Sequence, residues 1–235
     1  QESESTFINL PIPVMVKGID YNVDTVNCGY GKIAYTVNTA QKVAMDTATG
    51  KTIATIKAYT TTERETTFAN LAEAEATSGV EVPVGDTGVA VAKDPGNYGY
   101  AIAAYDANNQ VVAYYVSDGW ETVWSGIGVS PSSVNASSSF NQTFTLTVPT
   151  NPYSAGTFKD ADLTNYITLE GLFTGLTLGT LTRVSSTEIT VEVSGNLIRQ
   201  TGYYGEICVA AEAFEGAPEP GGAVRQVAQV RVINL

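Results

Sequence analysis

Hydrophobic and polar residues alternate with a period of two along most of the chain, which predicts β-strands. Glycine, asparagine, aspartate and proline separate these runs, and they are the residues that form tight turns. Predicted strands occupy residues 32–37, 52–59, 89–92, 100–105 and 110–116, and then residues 143–148, 166–169, 177–184, 188–193, 206–213 and 227–233. Because the two series share length and rhythm, the pattern indicates an all-β protein of two tandem sandwiches.

The connections between the predicted strands are short and rich in turn-forming residues. Residues 46–50, 94–97 and 106–109 are predicted as turns between neighbouring antiparallel strands. Residues 68–77 predict a short helix, although the alternation of Glu73 and Glu75 fits an exposed strand nearly as well. We therefore divide the chain into an extended N-terminal strand (residues 1–18), a first sandwich (19–125) and a second sandwich (126–235).

The N-terminal segment predicts a strand with one apolar face. That face carries four alternating residues, Leu10, Ile12, Val14 and Val16. Pro11 and Pro13 lack backbone N–H groups on one side, so the strand belongs at the edge of a sheet. It is either the first strand of the chain's own sandwich or a donor strand that completes the sheet of a neighbouring molecule.

The composition excludes several classes of function. The net charge of -12 makes binding to nucleic acid unfavourable, because affinity for phosphates depends on lysine and arginine. The sequence contains no histidine, which removes the usual general base of hydrolases and the usual nitrogen ligand of zinc. No apolar run approaches the roughly 20 residues of a membrane span. We expect a protein without enzymatic activity and without a membrane span.

Three further groups of residues suggest chemistry. Asp20, Asn22 and Asp24 begin a calcium-loop pattern, but Thr25 stands where an EF-hand needs glycine, so the choice lies between a looser calcium site and a solvated turn. Cys28 and Cys208, the two cysteines, form either a disulfide or two separate buried thiols.

Trp120 and Trp124 lie on one side of an extended segment near the predicted domain junction. Paired aromatic side chains stack on sugar rings, which would make this a glycan-binding surface. The position at the junction favours an interdomain packing contact instead.

Residues 127–134 (IGVSPSSV), the hydroxyl-rich residues 135–144 and residues 178–195 carry a resemblance to a known family. They resemble the immunoglobulin-like repeats of cell-surface and S-layer-associated proteins of Gram-positive bacteria. The resemblance covers residues 127–235 and implies an immunoglobulin-like fold and a place at the cell surface. Because the first series of strands has the same length and rhythm, we expect both tandem sandwiches to be immunoglobulin-like. Such repeats serve as spacers, adhesins, lattice elements and filament subunits alike.

The start of the chain at Gln1 is expected where a secretion signal has been removed, although a sequence cut from a longer protein begins in the same way. Our hypothesis is a structural subunit of an extracellular filament, tube or surface layer that polymerises by strand donation or edge pairing with copies of itself. The alternative is a monomeric surface adhesin that binds a carbohydrate or a protein.

Overall fold

The computed structural model describes residues 31–149, 155–198, 203–217 and 221–233. Strands dominate these residues, which confirms the all-β class. The N-terminal part contains helices α1 (Thr39–Thr49) and α2 (Leu71–Glu75). None of the described helices has the length and apolar character needed to cross a membrane.

Within the residues that the structure describes, eight strands belong to the N-terminal part and ten to the C-terminal part. The first eight are β1 (Lys32–Val37), β2 (Thr55–Thr60), β3 (Val80–Glu81), β4 (Gly85–Ala92), β5 (Gly96–Tyr98), β6 (Tyr100–Tyr105), β7 (Val111–Val116) and β8 (Glu121–Val123). The other ten are β9 (Gly128–Ser130), β10 (Ser133–Asn135), β11 (Ser137–Thr147), β12 (Thr157–Phe158), β13 (Ile167–Gly171), β14 (Thr177–Ser185), β15 (Glu188–Leu197), β16 (Tyr204–Val209), β17 (Phe214–Glu215) and β18 (Gln226–Ile233).

The C-terminal part is a sandwich of two four-stranded sheets. One sheet has the strand order β14-β15-β11-β9 and the other the order β10-β18-β16-β13. The alternate residues of both sheets point inward and form one core, in which Phe144, Val191, Ile207 and Val230 are all fully buried. Short strands β12 and β17 pair at one end.

The N-terminal part has a different plan. A four-stranded sheet of order β3-β2-β6-β7 carries a buried cluster on each face. On one face, Ile56 and Ile102 pack with Ile33 of β1 and Met45 of α1. The opposite face is covered by Phe68 and by helix α2, whose Ala74 is fully buried. Two-stranded sheets β1–β4 and β5–β8 complete this part.

Helix α1 contradicts the predicted turn at residues 46–50. The helix begins with a reciprocal capping box, in which the side chain of Asn38 accepts from the N–H of Gln41 and the side chain of Gln41 accepts from the N–H of Asn38. It ends at Gly50, whose φ of 64° is the left-handed conformation that glycine adopts without strain. The predicted turn residues therefore form the last turn and the cap of a helix.

Most predicted strands are confirmed. Strands β1 and β6 have the predicted bounds, and β7 and β14 differ from theirs by one residue. Helix α2 lies inside the predicted segment 68–77, and the turn at 106–109 joins the antiparallel pair β6 and β7. The turn at 94–97 is different, because β4 pairs with β1 while β5 pairs with β8. It carries the chain from one sheet to another.

Candidate functional site

The two tryptophans lie on the outer face of the β5–β8 sheet. Trp120 precedes β8 directly and Trp124 follows it, so Trp120, Thr122 and Trp124 project to one side of an extended segment. Val123, on the opposite side, is buried. The tryptophan side chains remain 50% and 60% exposed, respectively. This exposure favours a surface role over a buried packing contact.

Three polar side chains form a hydrogen-bonded row across the same face. Thr122 on β8 is the cross-strand partner of Asn97 on β5, and its hydroxyl donates to Asn97 Oδ1 over 2.7 Å. Asn97 Nδ2 then donates to the two carboxylate oxygens of Glu65 over 3.1 and 3.2 Å. The row fixes the amide of Asn97 between a hydroxyl and a carboxylate.

Glu65 is held in this row by its backbone. Its N–H donates to the carbonyl of Asn97 over 2.8 Å, and the next residue, Thr66, forms a bridge with Tyr98. Its φ of 58° lies in the left-handed region, which residues other than glycine adopt at a cost. We define the tryptophan face as Glu65, Asn97, Trp120, Thr122 and Trp124.

Strand β7 is a second notable surface. Among the described strands it ends the order of the β3-β2-β6-β7 sheet, and all six of its residues are uncharged (VVAYYV). Five of the six are partly exposed. An uncharged apolar strand at the edge of a sheet is a template for pairing with another strand.

Arg225 joins the two parts of the chain. Its guanidinium makes two hydrogen bonds to Glu170 on β13, from Nη2 to Oε2 over 2.8 Å and from Nη1 to Oε1 over 3.2 Å. Its Nε lies 3.6 Å from Asp94 Oδ1 in the N-terminal part. The buried Lys32 makes a similar connection, because its Nζ donates to the carbonyl of Gly222 over 3.1 Å.

A polar cleft of about 320 Å³ opens beside this junction, between the loop at Glu63 and Arg225. Lys93 lines it, donates to the carbonyl of Thr61 over 2.8 Å and lies over the ring of Tyr98. Burial lowers the pKa of Lys93, an effect that Glu63 and Asp94 oppose. Since its cations and carboxylates face one another, the side chains that line the cleft pair with each other within the fold.

The predicted site residue Cys208 is a buried free thiol. Its sulfur accepts from Arg225 Nη2 over 3.2 Å, and it lies close to Glu170 and Glu206. Burial, the largest effect, raises the pKa of Cys208 to about 12, so the thiol stays protonated at neutral pH. The guanidinium of Arg225 already bonds to Glu170 and to the sulfur of Cys208, so these two groups have a partner within the fold.

Several predicted residues lie outside the described residues. They are the assembly strand (Leu10, Ile12, Val14 and Val16), the calcium candidates (Asp20, Asn22 and Asp24) and Cys28. Strand donation and calcium binding therefore stay predictions, as does the state of Cys28, whereas Cys208 is a free thiol in the structure.

Neither a comparison with protein-family models nor one with curated proteins finds a match for this chain.

Sequence reasoning named Trp120 and Trp124 but missed Glu65 and Asn97. Asn97 bonds to Thr122, which lies between the tryptophans in the sequence, across 25 positions, and Glu65 bonds to Asn97 across 32 positions. The one local signal was Asn97 at the end of a predicted turn, and turn residues usually serve the turn alone.

Proposed function

We propose that the chain is a structural subunit of an extracellular filament, tube or surface layer, and that it polymerises when a strand from one copy adds to a sheet of the next. Strand β7 is the observation that carries this proposal. Natural proteins protect sheet edges with lysine, proline or very short strands. Val111–Val116 has six residues and contains neither proline nor any charge.

The backbone of β7 is suited to accept a further strand. Ser117, the residue after β7, donates its N–H to the carbonyl of Tyr100 on the neighbouring strand over 3.0 Å. Backbone groups of an antiparallel strand alternate between its two sides, so Val116 directs its N–H and carbonyl away from β6. These groups are available to a neighbouring strand that lies along β7.

The matching strand in this proposal is the segment at residues 10–16. Leu10, Ile12, Val14 and Val16 offer an apolar face, and the prolines limit its hydrogen bonding to one side. A strand whose backbone can form hydrogen bonds on one side only can pair with the edge of a sheet. Its other side then offers no backbone groups to a further strand. Each copy then contributes one donor strand and one acceptor edge, which is the head-to-tail contact that propagates into a polymer.

We infer further that the C-terminal part is an immunoglobulin-like sandwich. Its two sheet orders correspond to strands D-E-B-A and A′-G-F-C of that fold, with β10 running parallel to the last strand β18. The N-terminal part has helix α1 after its first strand and divides its strands among three sheets, so we do not extend the inference to it. A spacer role without catalysis suits such modules.

Truncation tests the proposal. A variant that lacks residues 1–16 is expected to fold and to stay monomeric, while the full chain forms ordered polymers visible by negative-stain electron microscopy. Circular dichroism checks that the truncated protein keeps its strands. Normal polymers from this variant would show that the N-terminal segment does not join the subunits.

A charge at the acceptor edge tests β7 separately. Val116→Lys is expected to prevent polymerisation, because a lysine on an edge strand opposes pairing with another strand. Val184→Lys is the matched control: Val184 is an exposed valine on β14, which ends another sheet. Equal loss of polymers in both variants would argue that overall charge, and not β7, controls assembly.

A further inference from the structure

We propose that the tryptophan face binds a neutral oligosaccharide, an activity independent of strand-mediated polymerisation. The face combines two exposed indole rings with a fixed row of hydroxyl, amide and carboxylate groups. Sugars present the same two kinds of surface, since the C–H groups of a pyranose ring form an apolar face and its hydroxyls surround the rim. The chemistry of the face therefore matches a carbohydrate.

The spacing of the tryptophans sets the size of the ligand. Trp124 lies four positions after Trp120 along an extended segment, which places their Cα atoms about 13 Å apart. This distance exceeds a single pyranose ring. A ligand that stacks on both indoles is therefore a chain of several sugars that runs along β8, with Thr122 beneath its middle.

The polar row supplies acceptors and orientation. Glu65 accepts from Asn97, and Thr122 donates to Asn97, but the carboxylate and the hydroxyl oxygen both retain lone pairs. Sugar hydroxyls donate to such oxygens. Because the hydrogen bonds of the row exist before binding, little side-chain entropy is lost when the ligand docks.

Charge selects a neutral glycan over other occupants. The chain carries a net charge of -12 and the face contains Glu65, so a polyanionic polysaccharide is repelled. A second copy that docks through the same face brings two Glu65 carboxylates together, which costs energy. A neutral ligand with many hydroxyl donors avoids both penalties.

The experiment uses the two tryptophans as the reporter, because they are the only ones in the chain. The full-length protein is run through native gels that contain a neutral β-glucan, a neutral mannan, a neutral soluble chitin derivative or, as the polyanion, alginate. We expect retardation by at least one neutral polysaccharide and none by alginate. Titration with a hexasaccharide of that polysaccharide is expected to shift the tryptophan emission to shorter wavelength.

Single substitutions locate the binding. Trp120→Ala and Trp124→Ala are each expected to weaken binding about tenfold, as the loss of one stacked aromatic contact predicts. Thr122→Val, which keeps the shape and removes the hydroxyl, is expected to weaken it less. Tyr203→Ala, which removes a ring that is 60% exposed on the other part of the chain, is the matched control and leaves binding unchanged.

Three outcomes would overturn the proposal. They are passage through all three neutral gels without retardation, retardation by alginate alone, and glycan binding that survives both tryptophan substitutions. Polymers lost in Trp120→Ala while glycan binding persists would assign the face to contact between copies. Loss of polymers in the β7 variants with glycan binding intact would leave this proposal standing, so the two proposals fail separately.

Discussion

The two parts of the chain bury different aromatic residues. The C-terminal core is built on phenylalanine: Phe140, Phe144 and Phe173 pack with ring centroids 5.6 to 6.4 Å apart. The N-terminal part buries tyrosines, and their hydroxyls bond inside the fold. Tyr35 bonds to Thr60 over 2.9 Å, and Tyr59 bonds to Tyr105 over 2.6 Å.

Because the buried aromatic residues differ, the two parts are stabilised in different ways. A phenylalanine core depends on burial and packing alone. A buried tyrosine hydroxyl without a hydrogen-bond partner lowers the free energy of unfolding. The N-terminal core therefore depends on a defined set of hydrogen bonds as well as on packing. Tyr105 shows this, because its hydroxyl donates to Glu75 over 2.7 Å and so ties helix α2 to the sheet. The C-terminal part is built on one apolar core, whereas strand β7 and the tryptophan face both lie in the N-terminal part.

The largest expected effect tests the packing side of this comparison. Phe144→Ala is expected to lower the free energy of unfolding by about 3–5 kcal/mol, since the ring is fully buried among two other rings. Phe68→Ala is its counterpart in the small N-terminal cluster and should cost less. Chemical denaturation measures both. A greater loss from Phe68→Ala would contradict the view that packing matters most in the C-terminal part.

The second effect tests the hydrogen-bonded core. Tyr105→Phe is expected to lower the free energy of unfolding by about 1–2 kcal/mol, because it leaves Tyr59 and Glu75 each without one partner. Tyr204→Phe, at a tyrosine that is 47% exposed, is the matched control and should change stability little. Equal stability of Tyr105→Phe and the parent chain would show that this network is not needed.

Alkaline pH provides a test without a change of sequence. Burial raises the pKa of Tyr59, Tyr98 and Tyr105 above the ordinary value near 10. As the pH rises through that value, the unfolded chain loses these protons before the folded chain does, so stability falls. Lys93 acts in the opposite direction, since burial lowers its pKa and favours the neutral amine in the fold.

The measurement is the midpoint of thermal unfolding between pH 8 and pH 11. Tyr105→Phe separates the contribution of the tyrosines to the pH dependence from that of Lys93, because the substitution removes a titrating tyrosine and keeps the lysine. We expect the midpoint of the variant to fall less steeply above pH 10. A steeper fall than in the parent would reverse the assigned sign.

A smaller effect is expected at the junction. Arg225→Met is expected to lower stability by about 0.5–1 kcal/mol, because its ion pairs to Asp94 and Glu170 are partly exposed and therefore screened by solvent. The difference between the variant and the parent should shrink at high salt. Arg231→Met, at an exposed arginine on β18, is the matched control. An unchanged difference at high salt would argue for packing of the arginine stem instead.

The strands were predictable because the signal for them is local. The alternating residues of β1 or β6 are neighbours in the sequence, and so are the turn residues at 106–109. The site was predictable only in part. Trp120 and Trp124 are recognisable by their residue type alone. Glu65 comes to the same face only after distant segments have paired, and no local sequence pattern predicts that pairing.

Helix α1 was missed because its sequence contains threonines, an aspartate and a C-terminal glycine, which also suit strands and turns. Its capping box and the burial of Met45 against the sheet decide the outcome. Tertiary packing thus outweighs the local preference of these residues. Lys42 and Asp46 on the same helix show what local interactions contribute.

The smallest expected effect is at this pair. Lys42 Nζ lies 2.6 Å from Asp46 Oδ2 in an i,i+4 arrangement, so Lys42→Ala is expected to cost about 0.3–0.5 kcal/mol. Asp46→Ala should cost more, because Asp46 Oδ1 also accepts from the N–H of Ile53 over 2.8 Å and holds the chain after the helix. Chemical denaturation of both variants at low salt measures the difference. If Lys42→Ala lowered the free energy of unfolding as much as Asp46→Ala, the ion pair and not the backbone contact would fix the end of α1. The N-terminal part would then depend on its surface charges as much as on its buried hydroxyls.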